Sequence, residues 1–339
     1  KDAASAAIYG ARAAGGVIII TTHQPKSNTK FSLNYNNNFG FESAINLPKQ
    51  TDLDTYFRMY REANLSDKYW AGQQNIDNWR RYLKEYKANP SAFNIVGDGL
   101  YNDGEAIYYL NEHDTYKQFM ESSFMMSHNI SASGGTDKIR YRISGGYSSQ
   151  DGPLITSVDK FKRLNIGAFI SADVTDWFTQ VVDVRYGRSD KSMPGNSAGN
   201  LYNTRLLSYY PEGTIGAAYG FDKEYPVNTP RNNILYGTTN NTINNNPRIL
   251  AKSIIKPFEG FEAVFEYTFD KRDTQFDYYS GKYLYTDIQQ GLKSNVEKDS
   301  YRKQHYYTNY NAINLYGTYS KSFGKHNFKL MAGFNQETS

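Results

Sequence analysis

Three groups of side chains in this 339-residue chain have types that could do chemistry. Glu262 and Glu266 fall on one face of an alternating stretch, and paired carboxylates can serve as acid and base on a glycosidic bond. Four residues apart on a strand they stand roughly 13 Å apart, beyond either spacing such hydrolysis uses. Water-facing charges that are solvated or paired with arginines are the better reading. His23, His113, His128, His305 and His326 show no His-x-x-x-His or other ligand spacing. The acidic stretch with Asp98, Asn102, Asp103 and Glu105 offers oxygen ligands for a Ca²⁺ ion but breaks the EF-hand pattern, so it is read as a loop with a weak Ca²⁺ candidate. No Ser–His–Asp arrangement, phosphate loop or glycosidase signature emerges, and the chain reads as a non-enzyme.

Aromatic side chains form the remaining set. Trp70, Tyr101, Tyr108, Tyr109, Tyr209 and Tyr210 could stack on sugar rings or peptide side chains. They could equally fill the core of small helices or anchor at a lipid boundary. Trp79, at helical spacing with Ile76 and Leu83, belongs to a core, and Trp177 beside Phe178 reads as a boundary girdle.

Such residues need elements to hold them. Only 39% of the chain is apolar and its mean hydropathy is −0.70, yet 16% is aromatic, with 31 Tyr. That mixture suits alternating strands that stay half polar and carry tyrosines at water–lipid boundaries. The longest apolar run, about 15–20, falls far short of the ~18 residues of a membrane helix, which leaves a membrane β-barrel open. Zero cysteines remove disulfides, thiolate zinc and thiol catalysis. The net charge of +4 is dispersed, with no basic run to suit nucleic acid.

Period-two alternation runs through 31–41, 127–133, 138–150, 160–173, 177–189, 260–279, 306–323 and 327–336. In 138–150, Ile139, Tyr141, Ile143 and Tyr147 alternate with Arg140, Arg142 and Ser144. Charges at every second place suit a watery lumen and cannot face a core. By the same parity Asp183, Arg185, Glu262 and Glu266 are expected to face that lumen. Short turns at 134–137, 174–176 and 324–326 alternate with long stretches at 42–126, 190–246 and 280–303, the asymmetry of periplasmic turns and extracellular loops. The count is roughly nine strands. The insert 42–126 contains helices: Thr51 to Asp54 resembles a capping box, and Leu53, Tyr56, Phe57 and Tyr60, then Ile76, Trp79, Leu83 and Tyr86, repeat at helical spacing. The Asn-rich stretch 240–246 reads as a loop.

The opening segment 2–22, DAASAAIYGARAAGGVIIITT, reads as a short Ala-rich helix N-capped by Asp2, a glycine turn and a buried β-branched strand. Its glycines precede the strand and do not form G-x-G-x-x-G, which disfavours a phosphate loop. This segment resembles the closing stretch of the plug in TonB-dependent outer-membrane transporters, in particular the SusC/RagA branch found in Bacteroidota. HNISASGGTDKIRYRISGGYSSQDG, from His128, resembles a hairpin of the same barrels.

The resemblance implies an all-β fold: a transmembrane antiparallel β-barrel, about nine strands of the 22 or so in a plugged transporter, with small helices in an extracellular loop. Residues 1–23 would be the C-terminal end of the plug and 24–339 the N-terminal portion of the barrel. Lys1 opens directly onto Asp2 without a leader, so a fragment is expected. The resemblance further implies active import of an oligosaccharide, or next an oligopeptide, across the outer membrane of a Gram-negative bacterium. The implied partners are a SusD-like lipoprotein lid, outer-membrane lipid, and TonB–ExbB–ExbD acting through a plug segment outside the chain. Arg140, Arg142, Asp183, Arg185, Glu262 and Glu266 would then meet the plug. Rival classes are a passive porin or adhesin-type barrel and a secreted glycan-binding β protein.

Overall fold

The computed structural model describes residues 25–64, 76–195, 211–216, 221–287 and 291–339; the expected plug end (1–23), Trp70, Tyr209 and Tyr210 lie outside them. Nine strands form one antiparallel sheet: β1 (Ser32–Glu42), β5 (Ser123–Gly135), β6 (Ile139–Asp151), β7 (Lys160–Thr175), β8 (Phe178–Pro194), β11 (Thr239–Ile255), β12 (Phe261–Ser280), β15 (Ser300–Phe323) and β16 (His326–Thr338). They pair in that order, so each joins its predecessor, and β1 and β16 are the free edges. The connections β5–β6, β7–β8, β11–β12 and β15–β16 are tight and lie at one end of the sheet. In the first, the Thr136 hydroxyl accepts the Ile139 N–H at 3.0 Å. In the third, Gly260 takes a left-handed φ of 85° with the Ser320 carbonyl where a side chain would stand, so only glycine fits.

Directly opposed residues in an antiparallel sheet share a face. Ile143 opposes Ala132 and Ala168, Ala168 opposes Val184, and Val184 opposes Ile249, which opposes Phe269. This face is apolar yet open: Ile143 is 58% exposed and Leu330 72%. Its apolar belt runs through residues 139–147 of β6, 178–186 of β8 and 261–269 of β12, stepping two residues toward the tight turns from each of these strands to the next. Nine residues at about 3.4 Å run ~30 Å along a strand, or ~23 Å of height at a tilt of about 40°, close to the lipid-facing band of an outer-membrane barrel. Aromatics edge the belt at the tight-turn end, where Trp177 and Phe178 rings lie 6.0 Å apart and Phe323 and Phe328 likewise 6.0 Å apart.

Above the belt the strands continue, which corrects the expected loop bounds. β8 runs to Pro194 and β11 starts at Thr239, so the second insertion is 195–238 and not 190–246; the others are 43–122 and 281–299. The Asn-rich stretch 240–246 is strand, not loop: 240–245 is paired on both sides and Asn246 with β8 alone. Out of lipid both faces meet water, so the alternation that marks a strand in sequence vanishes while the backbone ladder persists. Arg188 with Asp190, and Lys271 with Asp273, sit here on the outer face as ion pairs of 3.3 and 3.4 Å.

The insertions build a cap. The first holds α1 (Leu53–Asn64), α2 (Ile76–Ala88), the small sheet of β2 (Ile95–Val96), β3 (Leu100–Asn102) and β4 (Ile107–Tyr109), and α3 (Thr115–Phe119). Leu53, Phe57, Ile76, Trp79, Leu83, Tyr108 and Leu110 form its core. The cap of α1 is Asp52, not Thr51: its carboxylate accepts the Thr55 N–H at 2.9 Å, and that bond holds Asp52 below the usual carboxylate range. Asp54 does not close the expected box, because it pairs with Arg80 at 2.6 Å. The second insertion holds β9 (Thr214–Ile215), β10 (Tyr225–Pro226) and α4 (Pro230–Tyr236); the third holds β13 (Leu284–Asp287) and β14 (Gly291–Ser294). Ile215 and Val227 pack on Leu100, Ile234 packs on Phe119, and the Tyr283 hydroxyl donates to Asn233 at 2.7 Å. The three insertions are thus one packed unit.

Candidate functional site

The polar face of the sheet carries the charged side chains. Arg142 opposes Phe169, which opposes Asp183; Arg185 opposes Arg248, which opposes Asp270; Glu266 opposes Lys252. By this register Arg140, Arg142, Asp183, Arg185, Glu262 and Glu266 all stand on one face, opposite Ile139 and Tyr141. An Arg or Lys on the lipid side at mid-height would cost roughly 2–4 kcal/mol each, so this face turns from lipid.

The six do not form one cluster. Arg142, Asp183 and Arg185 line an open trough of about 720 Å³ that spans β1 to β12, together with Arg163, Arg248 and Asp270. A hollow shared by seven neighbouring strands means that the sheet curves toward its polar face. Asp183 holds Arg185 through two bonds of 2.9 and 2.8 Å. Among the described residues Arg142, Arg248 and Asp270 have no ion-pair partner within 4.0 Å. Gly146, Gly167 and Gly187 stand on the floor, and the side chains of Asn129, Ser144 and Asn165 lean into the space their Cβ atoms would take. Arg140 lies nearer the tight turns, bonded to Ser171 (2.9 Å) and Asp173 (3.1 Å). Glu262 is held by Lys256 at 2.9 Å, and Glu266 lies 3.9 Å from Lys252.

Arg163, Arg248 and Asp270 were missing from the sequence-based set. Asp270 continues the Glu262–Glu266 parity and was findable. Arg163 was hidden by Lys160 and Lys162 on the opposite parity, above the belt. Arg248 follows Pro247, a residue that argues against a central strand; here the β11–β12 ladder skips Asn246 and Pro247 and resumes at Arg248.

The cap sites are arranged differently. Tyr108 is buried in the cap core, and burial pushes its hydroxyl up to about 12. The Tyr109 ring stacks 6.0 Å from Trp79, and the Tyr101 ring lies 4.9 Å from Phe93. Of the two roles open to these rings, packing is the one the structure gives Tyr108. The acidic loop is bonded internally: Asp103 accepts the Glu105 and Ala106 N–H groups at 2.9 and 2.8 Å, Asn102 accepts the Gly104 N–H at 2.8 Å, and Glu105 is exposed. Asp98 instead joins two insertions, accepting Asn111 at 3.0 Å and the Glu212 N–H at 2.7 Å. His113 Nε2 lies 3.0 Å from Asp98 but off the hydrogen-bond line, so the contact is a charge pair when the imidazole is protonated. Burial opposes the Asp98 charge; His113, the Glu212 N–H and Asn111 outweigh it and hold the carboxyl low, while Asp98 raises His113 against its own burial. Among the described residues no three acidic or imidazole side chains group as a metal centre would require.

No family model matches the sequence. The TonB-dependent receptor P3 of Formosa agariphila is 27% identical over 99% of this chain and 30% of its own length. The TonB-dependent receptor SusC of Bacteroides thetaiotaomicron is 30% identical over 48% of this chain and 12% of its own. Among solved structures, the RagAB peptide transporter aligns with a TM-score of 0.71 at 16% identity, over 99% of this chain and 38% of that one. The RagAB peptide importer in its open-open state gives 0.68 at 16% identity, over 99% and 37%. The chain thus spans about a third of the relatives it aligns with end to end.

Proposed function

We propose that the chain is part of a SusC/RagA-like TonB-dependent transporter, as its likeness to curated TonB-dependent receptors supports, and that the full-length protein imports a large nutrient actively across the outer membrane. The observation that carries this is the two-faced wall: a lipid-height apolar belt behind a charged, hollow face. A barrel wide enough for such a wall would leak if empty, so its lumen needs a removable plug. On this reading Arg140, Arg142, Asp183, Arg185, Glu262 and Glu266 face the lumen and meet that plug. TonB–ExbB–ExbD acts through a plug segment outside the chain. A SusD-like surface lipoprotein closes over the cap, with Trp70, Tyr209 and Tyr210 as candidate contacts to ligand or lid.

An oligosaccharide is the first substrate class, and an oligopeptide is the second because the aligned solved structures are of a peptide transporter. The test is uptake of fluorescent oligosaccharide and peptide pools by cells that carry the full-length protein, with and without TonB. Uptake that stops when TonB is lost is expected. Uptake indifferent to TonB would mean a passive pore.

A further inference from the structure

A second cavity, of about 360 Å³, opens at the cap end of β1 and β5–β8. Its size falls in the range of small-ligand pockets, about 300–1,000 Å³. Gln150 opposes Phe161, which opposes Lys191, so three neighbouring strands present an amide, an aromatic ring and an ammonium on the hollow side of the wall. Glu42 continues the same side of β1 two residues beyond Gly40, and the Gln150 amide donates to it at 2.9 Å. That bond uses one Glu42 oxygen and leaves its other oxygen and the Gln150 carbonyl with no partner among the described residues. Asp159, from the 152–159 connection, lies over the bare Cα of Gly152 and closes one side of the pocket. Burial raises its carboxyl, against the pull of Lys191.

This lining discriminates by chemistry. An anion would meet Glu42 and Asp159, and a cation would meet Lys191. An apolar side chain would strip water from these groups and return no hydrogen bond, which is costly. A peptide main chain seeks an unpaired strand edge; β5 to β8 are each paired on both sides, and of the pocket's strands β1 alone has an open edge in this chain. A hydroxyl both donates and accepts, so it satisfies carboxylate, amide and ammonium alike, while the Phe161 face suits the C–H face of a sugar ring.

We propose that this pocket is a subsite at the mouth of the barrel for one neutral, hydroxyl-rich unit of the imported ligand, a pyranose set against Phe161 with its hydroxyls on Glu42, Gln150 and Lys191. The proposal rests on the import reading above and deepens it by choosing the sugar class. The full-length transporter in detergent is titrated with maltohexaose, laminarihexaose, mannohexaose and a tryptic digest of casein. At least one hexasaccharide should bind, and Phe161→Leu, which keeps bulk but removes the ring, should weaken it about tenfold. Lys191→Met should weaken it several-fold, and unchanged heat-modifiable migration on a gel will show both barrels folded. Binding as in wild type by both variants, capture of peptides alone, or no capture of any probe would overturn the subsite. Uptake of the bound sugar by cells lacking TonB separates the two ideas. TonB-independent uptake sinks active import and leaves the pocket standing; TonB-dependent uptake with binding unaffected by both variants sinks only the pocket.

Discussion

Replacing Asp98 by Asn should loosen the joint between the first and second insertions of the cap. One oxygen of Asp98 accepts from Asn111 and the other from the Glu212 N–H, with His113 as its counter-charge. The His113 and Asp98 side chains are only 18% and 25% exposed, so solvent screens the pair little. Asparagine keeps the shape and one acceptor but loses the charge. Hydrogen bonds to a charged group are worth ~1.5–3 kcal/mol, so a loss of about 2 kcal/mol is expected. At 1.4 kcal/mol per decade this means roughly 30-fold faster local opening. The assay is hydrogen exchange of the full-length protein, read on the peptides covering 95–102 and 211–216. The pH dependence has a definite sign. Asp98 sits below its ordinary 3.8, so its contribution holds above that value and is lost as pH falls through the folded pKa. His113 sits above its ordinary 6.5, so its contribution is complete below 6.5 and is lost as pH rises through its folded pKa. The joint is therefore tightest between about pH 4 and 6.5, and the substitution should cost more at pH 6 than at pH 8. Unchanged exchange at pH 6, or a larger effect at pH 8, would refute the role given to Asp98.

Other substitutions separate the wall from its cap. Trp79→Ala empties the cap core, where Trp79 is fully buried and donates to the Tyr109 carbonyl at 2.7 Å; about 3–5 kcal/mol should be lost there. Limited proteolysis should then cut within 43–122 while the barrel keeps its folded gel migration. Ile143→Arg, in the middle of the belt, should cost roughly 2–4 kcal/mol in lipid, read as a lower urea midpoint for bilayer-inserted protein. Arg142→Ile, on the hollow face, should not lower that midpoint comparably.

Much of this architecture is legible in the sequence, and the part that is not has one physical cause. Between the aromatic girdles one face meets hydrocarbon and the other meets polar surroundings, so Ile139 to Tyr147 carries the alternation that gives both strand and face. Beyond the girdle lipid no longer selects side chains. Asn240 to Asn246 then looks like loop although its ladder to β8 continues. The trough follows the same rule in part: Arg142, Asp183 and Arg185 lie within the readable belt and Arg163 lies above it, while Arg248, level with Arg185, is masked by the Pro247 before it. In the cap, spacing was enough to bury Trp79. It misplaced the helix cap by one residue, from Thr51 to Asp52, and it could not tell that Tyr108 would turn inward, because that depends on packing against Trp79 and Tyr82 of α2.

The account rests on which face of the wall meets lipid. The chain has no cysteine, so single cysteines placed at each position from 139 to 147, labelled with a fluorophore in proteoliposomes, read this residue by residue. The account predicts that labels at 139, 141, 143, 145 and 147 are quenched by nitroxide-bearing lipid chains and those at 140, 142, 144 and 146 are not. Quenching at the even positions, or equal quenching at all nine, would contradict it.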